Sequence, residues 1–373
     1  MVKTGKLLRS LIRAGTRTAK LIAAATTPPK PVRKRAAAKP HAKTPCPATA
    51  PGAAAPRAAA SRAAAARTAT PRPAASVAAG ARTAVAPGKW LSSHVPTAAG
   101  QRMNYWLYLP DHPAQPEGRP LIVMLHGCRQ TATQFAQGTR MNLWAEKKGY
   151  AVLYPQQLLS HHAHRCWKWY ERATQDGGGD VPTIVGIIHQ VMTQYPIDRR
   201  RVYVAGISAG AGMANILALN HPGLFAAVGL HSGPVFGAGQ NTLTAIGVMR
   251  HGAGLRADGA AHDILQRQPP FPGMPAILIQ GLADTVVRPI NQAQLMRQSL
   301  LLNRLSGPAK ITQKARSSLH DFYVGRKLML RAVQIEQLEH AWSGGDPALP
   351  FNAKGSPDAS RMMVEFFGRH RRS

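Results

Sequence analysis

An α/β fold is predicted, with a mostly parallel central sheet covered by helices on both faces and preceded by a disordered basic tail. Three observations carry this. Short apolar runs rich in β-formers alternate with helical stretches, the pattern of sheets built from strand-helix-strand units. One of those strands becomes a helix within a few residues, at Gly206-Ile-Ser208-Ala-Gly210. The composition also changes sharply near Trp90.

The tail comes first in the chain. Of the 47 Lys and Arg residues, 18 fall within residues 1–90, where there is no Asp or Glu at all; Asp111 is the first carboxylate. Alanine runs such as 53–60 and 63–66, mixed with Pro, Arg and Thr, cannot bury enough apolar surface to offset their ordering entropy. The expected division is therefore a tail over 1–89 and one catalytic-size domain over 90–373. Within the tail, Leu7, Leu8, Leu11, Ile12, Leu21 and Ile22 recur at roughly helical spacing among Lys3, Lys6, Arg9, Arg13, Arg17 and Lys20. A short basic amphipathic helix over 3–24 is expected. It suits a membrane or granule surface, an atypical targeting segment, or a helix formed only on contact. Arg9, Arg13 and Arg17 interrupt the apolar core that a standard secretory signal needs, and no stretch reaches the roughly 18 apolar residues of a membrane span. The basic run 30–43 can hold a polyanion through counterion release. Interleaved aromatics and reader motifs are missing, so sequence-specific nucleic-acid binding is not expected. The three cysteines, Cys46, Cys128 and Cys166, are too few for the disulfide framework of a small secreted domain. Cys128 and Cys166 either pair in an exported protein or stay as free thiols, with Cys46 left over.

From Trp90 onward the elements follow in order. Residues 103–109 read as an entry strand ended by Pro110, and 120–125 as a second, almost wholly apolar strand. A helix over 130–148 follows, with Phe135, Met141, Leu143 and Trp144 for its inner face, and then a strand over 150–154. The loop 155–179 is long and carries Cys166-Trp-Lys-Trp-Tyr170, where three aromatics in four residues argue for order. Residues 181–195 are expected to be helical and 201–205 to form the strand before Ser208. Met213, Ala214, Ile216, Leu217 and Leu219 continue as a helix closed by His221-Pro222. Further strands are expected at 226–231, 276–280 and 328–334, a final helix near 359–367, and a poorly periodic cap excursion at 237–272.

The chemistry centres on Ser208. A strand-to-helix turn this tight strains the serine backbone and needs small neighbours, which Gly206, Ala209, Gly210 and Ala211 supply. It lifts the hydroxyl clear of the sheet at a helix N-terminus, where negative charge is favoured. A serine hydroxyl still needs a base, and the base needs an acid to orient it. Asp284 directly follows the apolar strand at 276–280 and is the expected acid; Asp258, Asp263 and Asp321 follow no such strand. His340 lies on the loop after the last strand and is the expected base. His161, His162, His164, His251, His262 and His320 read as solvated loop residues, and His231 as the end of a strand. Two N–H donors for an oxyanion are expected from Ala209 and Cys128. Trp167, Trp169 and Tyr170, with Trp342, are candidate substrate contacts, although the loop aromatics serve equally well to pack the loop onto the domain. No cluster such as H-E-x-x-H is present, so neither metal nor cofactor is expected.

Leu125-His-Gly-Cys-Arg-Gln-Thr, Tyr154-Pro-Gln-Gln, Cys166-Trp-Lys-Trp-Tyr, Gly206-Ile-Ser-Ala-Gly-Ala-Gly-Met-Ala, His231-Ser-Gly, Gly281-Leu-Ala-Asp-Thr-Val-Val and His340-Ala-Trp-Ser-Gly-Gly together resemble the polyhydroxybutyrate depolymerase-like esterases. That family includes feruloyl and acetylxylan-type esterases. The resemblance covers roughly residues 90–368. It implies an α/β-hydrolase fold, a triad of Ser208, Asp284 and His340, and Cys128 in the oxyanion hole. The expected activity is hydrolysis of a polyester or its oligomers through an acyl-enzyme. The alternatives are a feruloyl or acetylxylan-type esterase, or a non-catalytic granule- or polyanion-binding protein on a hydrolase scaffold. Polyester and ester substrates are the expected partners, with the tail touching a granule or anionic surface. The family is often secreted, which implies an extracellular protein; without a standard signal peptide, cytoplasmic and granule-associated locations stay open.

Overall fold

Six parallel strands form the centre of the sheet because each carries an apolar stretch, such as residues 121–125 in one and 202–204 in another, that is buried on both faces. The computed structural model describes residues 86–373 apart from positions 255 and 356. The amphipathic stretch 3–24, the basic run 30–43 and Cys46 lie outside the described residues. The strands are β1 (Lys89–Pro96), β2 (Arg102–Leu109), β3 (Arg119–Leu125), β4 (Ala151–Pro155), β5 (Ile197–Ile207), β6 (Ala227–His231), β7 (Ala276–Gly281), β8 (Lys310–Lys314), β9 (Ser317–Val324) and β10 (Lys327–Ile335). Their order is β1-β2-β4-β3-β5-β6-β7-β10-β9-β8. Pairing is parallel from β4 through β10. It is antiparallel at both edges, β1-β2-β4 on one side and β10-β9-β8 on the other.

Side chains alternate between two cores. On β3, Leu121, Val123 and Leu125 face one cluster while Ile122 and Met124 face the other; on β5, Val202 and Val204 oppose Tyr203, Ala205 and Ile207. The helices Val181–Gln194, Ala209–Asn220 and Ile290–Leu302 contribute to the first core. Ala132–Thr139, Met141–Lys148 and Ala359–Phe367 contribute to the second. This is an α/β-hydrolase fold. Because the central strands run parallel, their carboxyl ends share one edge, where Ser208 follows β5, Asp284 follows β7 and His340 follows β10.

Several elements differ from expectation. The helix expected over 130–148 is two helices broken at Arg140, which sits in the left-handed region at φ 55°. The first helix stops there because the Thr139 hydroxyl bonds back to Phe135 O at 2.8 Å and the Arg140 amide closes onto Gln137 O. The excursion at 237–272 contains the helices Thr242–His251 and Arg256–Arg267. The second buries Ala257, Ala260, Ala261 and Ile264, a face made mostly of alanine and therefore faint in a hydropathy pattern. β1 and the β8-β9 hairpin were not expected at all. β8 reads Lys-Ile-Thr-Gln-Lys and is exposed along its length, so no buried face marks it. No helix among the described residues is long and apolar enough to cross a membrane.

Candidate active site

The turn after β5 places Ser208 at φ 56° and ψ −123°, a conformation that costs a non-glycine residue about 1–3 kcal/mol. Its neighbours must be glycine for a geometric reason. A Cβ on Gly210 would stand 2.1 Å from Leu125 O and 2.5 Å from His126 O, and one on Gly206 would stand 2.5 Å from the Gly210 carbonyl carbon. The turn bearing Ser208 is thus pressed against the end of β3. The Ser208 amide donates to His231 O at 3.0 Å, which extends the β5-β6 ladder to the serine itself. Its side chain makes no capping bond with the helix that follows, so the hydroxyl is not spent on the fold.

Asp284 is buried, and His340 Nδ1 lies 2.7 Å from its Oδ2. Its Oδ1 accepts the amides of Val286 and Val287, both at 2.9 Å, and Gln280 Nε2 lies 3.3 Å from Oδ2. Burial pushes this carboxyl up, but the His340 hydrogen bond and charge and the two amides outweigh it, and the acid is held below its ordinary value. A carboxylate only accepts, so His340 carries its proton on Nδ1 and keeps Nε2 as the basic nitrogen. The loops bearing Asp284 and His340 are joined directly. The amides of Leu282 and Ala283 donate to Ile335 O and Leu338 O, and a Cβ on Gly281 would meet Leu338 O at 2.1 Å. The competing carboxylates are placed elsewhere: Asp321 forms a two-armed pair with Arg331 at 2.7 and 2.6 Å, Asp258 pairs with Arg297, and Asp263 is exposed.

The loop after β3 carries the expected second oxyanion donor. In Gly127-Cys128-Arg129, the Gly127 amide donates to Gln130 Oε1 and the Arg129 amide to His164 O. The Cys128 amide has no such partner among the described residues. Ala209 opens its helix, where amides lack intrahelical acceptors. Cys128 and Cys166 form a disulfide, so the long loop is bonded to the loop after β3. Trp167 Nε1 donates to His126 O at 3.0 Å and the Gln157 amide to His126 Nε2 at 3.1 Å. Burial holds His126 neutral, with its pKa lowered to about 4.

The aromatic platform is corrected by these contacts. Trp167 and Trp342 are completely buried and Trp169 and Tyr170 nearly so, at 4 % and 7 % exposure. Trp167 anchors its loop to the turn after β3, Trp169 lies against Gly212, and Trp342 donates to Ser360 Oγ at 3.0 Å and packs edge-on to Phe135. They hold loops to the domain instead of offering an open surface, because large apolar rings gain most by leaving water. His161 is also no solvated loop residue: its Nδ1 lies 2.9 Å from Asp180 Oδ1. Gln280 and His231 were missed. Glutamine does not mark catalysis by its type, and His231 reads from sequence only as the end of an apolar strand.

The sequence model of the family described as Esterase PHB depolymerase matches residues 103–318, more than half of the chain. The chain belongs to this family. Among its relatives are the poly(3-hydroxybutyrate) depolymerase of Ralstonia pickettii, 32 % identical over 162 residues that make up 40 % of this chain and 33 % of that protein. A probable acetylxylan esterase A of Aspergillus clavatus is 30 % identical over 52 % of this chain and 65 % of its own length. The acetyl xylan esterase from Aspergillus awamori shares the fold with a TM-score of 0.61 at 19 % identity, over 74 % of this chain and 99 % of that one. The chain spans about a third of the length of the first curated relatives it matches.

For this Esterase PHB depolymerase family member the disulfide yields a test. Reduction, or Cys166→Ala, frees the loop that carries the Cys128 amide. Complete loss of one oxyanion donor costs a serine esterase about 10²–10³ in kcat, and with the Cys128 amide as the expected donor its loosening should cost about tenfold. kcat for a soluble ester measured with and without dithiothreitol checks this; equal values would detach the disulfide from the site.

Proposed function

We propose that the protein is a metal-independent serine esterase acting through an acyl-enzyme, of polyhydroxybutyrate depolymerase type, on polyesters or their oligomers. The observation that carries this reading is the 2.7 Å His340–Asp284 pair on the same sheet edge as the strained Ser208 turn. Ser208 Oγ attacks the ester carbonyl as His340 Nε2 takes its proton, and Asp284 stabilises the imidazolium that forms. The amides of Cys128 and Ala209 receive the oxyanion. Collapse expels the alcohol, which takes the proton from His340, and a water activated by the same nitrogen then releases the acid. A non-catalytic scaffold would leave the strained serine and the buried pair without a purpose.

A fluorophosphonate is expected to label Ser208 and to abolish hydrolysis of p-nitrophenyl butyrate in proportion; labelling at another residue, or activity surviving complete labelling, would refute the assignment. Polyhydroxybutyrate, acetylxylan and methyl ferulate compared side by side would rank the substrate classes named for the relatives. The Cys128–Cys166 disulfide favours an extracellular location, since such bonds persist in oxidising compartments. The basic tail is assigned to contact with an anionic or granule surface. A chain beginning at Pro87 should keep its activity on soluble ester and bind polyhydroxybutyrate granules less at low salt, where exposed charges are least screened; equal binding would dismiss that role.

A further inference from the structure

We propose that His231 is a positioning residue for the hydrolysis, a neutral strut that ties the turn bearing Ser208 to the loop bearing His340. The inference rests on the serine-esterase reading above and adds to it a residue whose ring hydrogen-bonds to neither the Ser208 hydroxyl nor His340 among the described residues.

His231 ends β6, the strand between the one leading to Ser208 and the one leading to Asp284, and it is completely buried. It is bonded in two directions. Its carbonyl accepts the Ser208 amide at 3.0 Å, and its Nε2 accepts the Ser343 amide at 3.2 Å, three residues beyond His340. Its ring stacks on Trp342, which directly precedes Ser343, with centroids 5.0 Å apart and planes 23° apart. The next residue, Ser232, has φ 47° and donates its amide to Ile279 O at 2.8 Å, so the same turn is also bonded to β7. One residue therefore connects the nucleophile turn to the base loop, while its neighbour connects to the strand preceding the acid.

The bonds also assign the proton. An amide can only donate, so Nε2 must present its lone pair and Nδ1 must carry the hydrogen, 3.1 Å from Ser232 Oγ. That tautomer requires a neutral ring. Burial first, and then the charge of His340 against the opposing effect of Asp284, holds the pKa down at about 3. His231 thus stays neutral while His340, its neighbour, gains and loses a proton in each cycle. A leucine would fill the space but leave the buried Ser343 amide without an acceptor, and the loop would have to move to satisfy it. Displacement of a base by a fraction of an ångström is enough to slow proton transfer without disturbing substrate binding.

The test compares His231→Phe, which keeps a ring on Trp342 and removes the acceptor, with His231→Gln, whose Oε1 can accept the Ser343 amide. kcat for p-nitrophenyl butyrate is expressed per Ser208 titrated to completion with a fluorophosphonate, so that misfolded protein does not count. The Phe variant is expected to lose about ten- to hundredfold in kcat per titrated site with KM unchanged within about twofold, and Gln to restore most of it. His231→Met, which fills space more adaptably, is read in the same way as Phe. Per-site kcat of Phe or Met close to wild type, or Gln as impaired as Phe, would overturn the proposal. If Ser208→Ala is inactive while these variants match wild type, only the strut is lost; an active Ser208→Ala protein would remove the esterase reading beneath it.

Discussion

Ser208→Ala is expected to lower kcat for p-nitrophenyl butyrate by about 10⁴-fold or more, with little change in the domain's stability. The serine side chain makes no capping bond, so its loss removes the proposed nucleophile without removing a capping contact. The backbone strain at φ 56° remains in the alanine protein, and Gly206 and Gly210 still fit against each other and against β3. Melting temperature and near-ultraviolet circular dichroism should therefore match wild type while hydrolysis falls to the level that the oxyanion donors and binding alone support. Retained activity in a correctly folded Ser208→Ala protein would mean that the chemistry lies elsewhere.

Asp284→Asn is expected to cost about 10⁴-fold in kcat at neutral pH. The amide is nearly the same size, so the Val286 and Val287 amides keep an acceptor, but its NH₂ can donate to His340 Nδ1 and so favour the tautomer with the proton on Nε2. That nitrogen could then no longer take the Ser208 proton. The substitution also carries a stability signature of definite sign. The Asp284 carboxyl is held below its ordinary value of 3.8 in the folded protein, so its contribution is complete above that value and is lost as pH falls through the lower folded one. The melting temperature of wild type should exceed that of Asp284→Asn at pH 5 to 7, and the gap should close on acidification below about pH 4. A gap that is constant across this range would show that the carboxylate charge is not what the folded state stabilises.

Much of this protein was legible before its fold was seen. The turn at Ser208 leaves a local mark, Gly206 and Gly210 within five residues, because a Cβ at either would collide with the turn or with the end of β3, and chain order then points to Asp284 and His340 after later apolar strands. The central strands were equally plain, since burial on both faces leaves an unbroken apolar run. Features that leave no clear hydropathy pattern were not readable. The helix break at Arg140 depends on how the Thr139 hydroxyl folds back onto its own backbone, the helix Arg256–Arg267 hides its inner face in alanines, and β8 has no buried side to betray it. The aromatic loop illustrates the division best. Composition alone leaves Trp167, Trp169 and Tyr170 free to serve a substrate or the core. Tertiary packing places them inside, because the Cys128–Cys166 bond and the Trp167–His126 hydrogen bond draw the loop down onto the oxyanion turn. Sequence determined which groups could do chemistry and the strands that would carry them. Only the tertiary structure decided which buried side chains, His231 among them, tie those groups together, since its partner Ser343 lies 112 residues further along the chain.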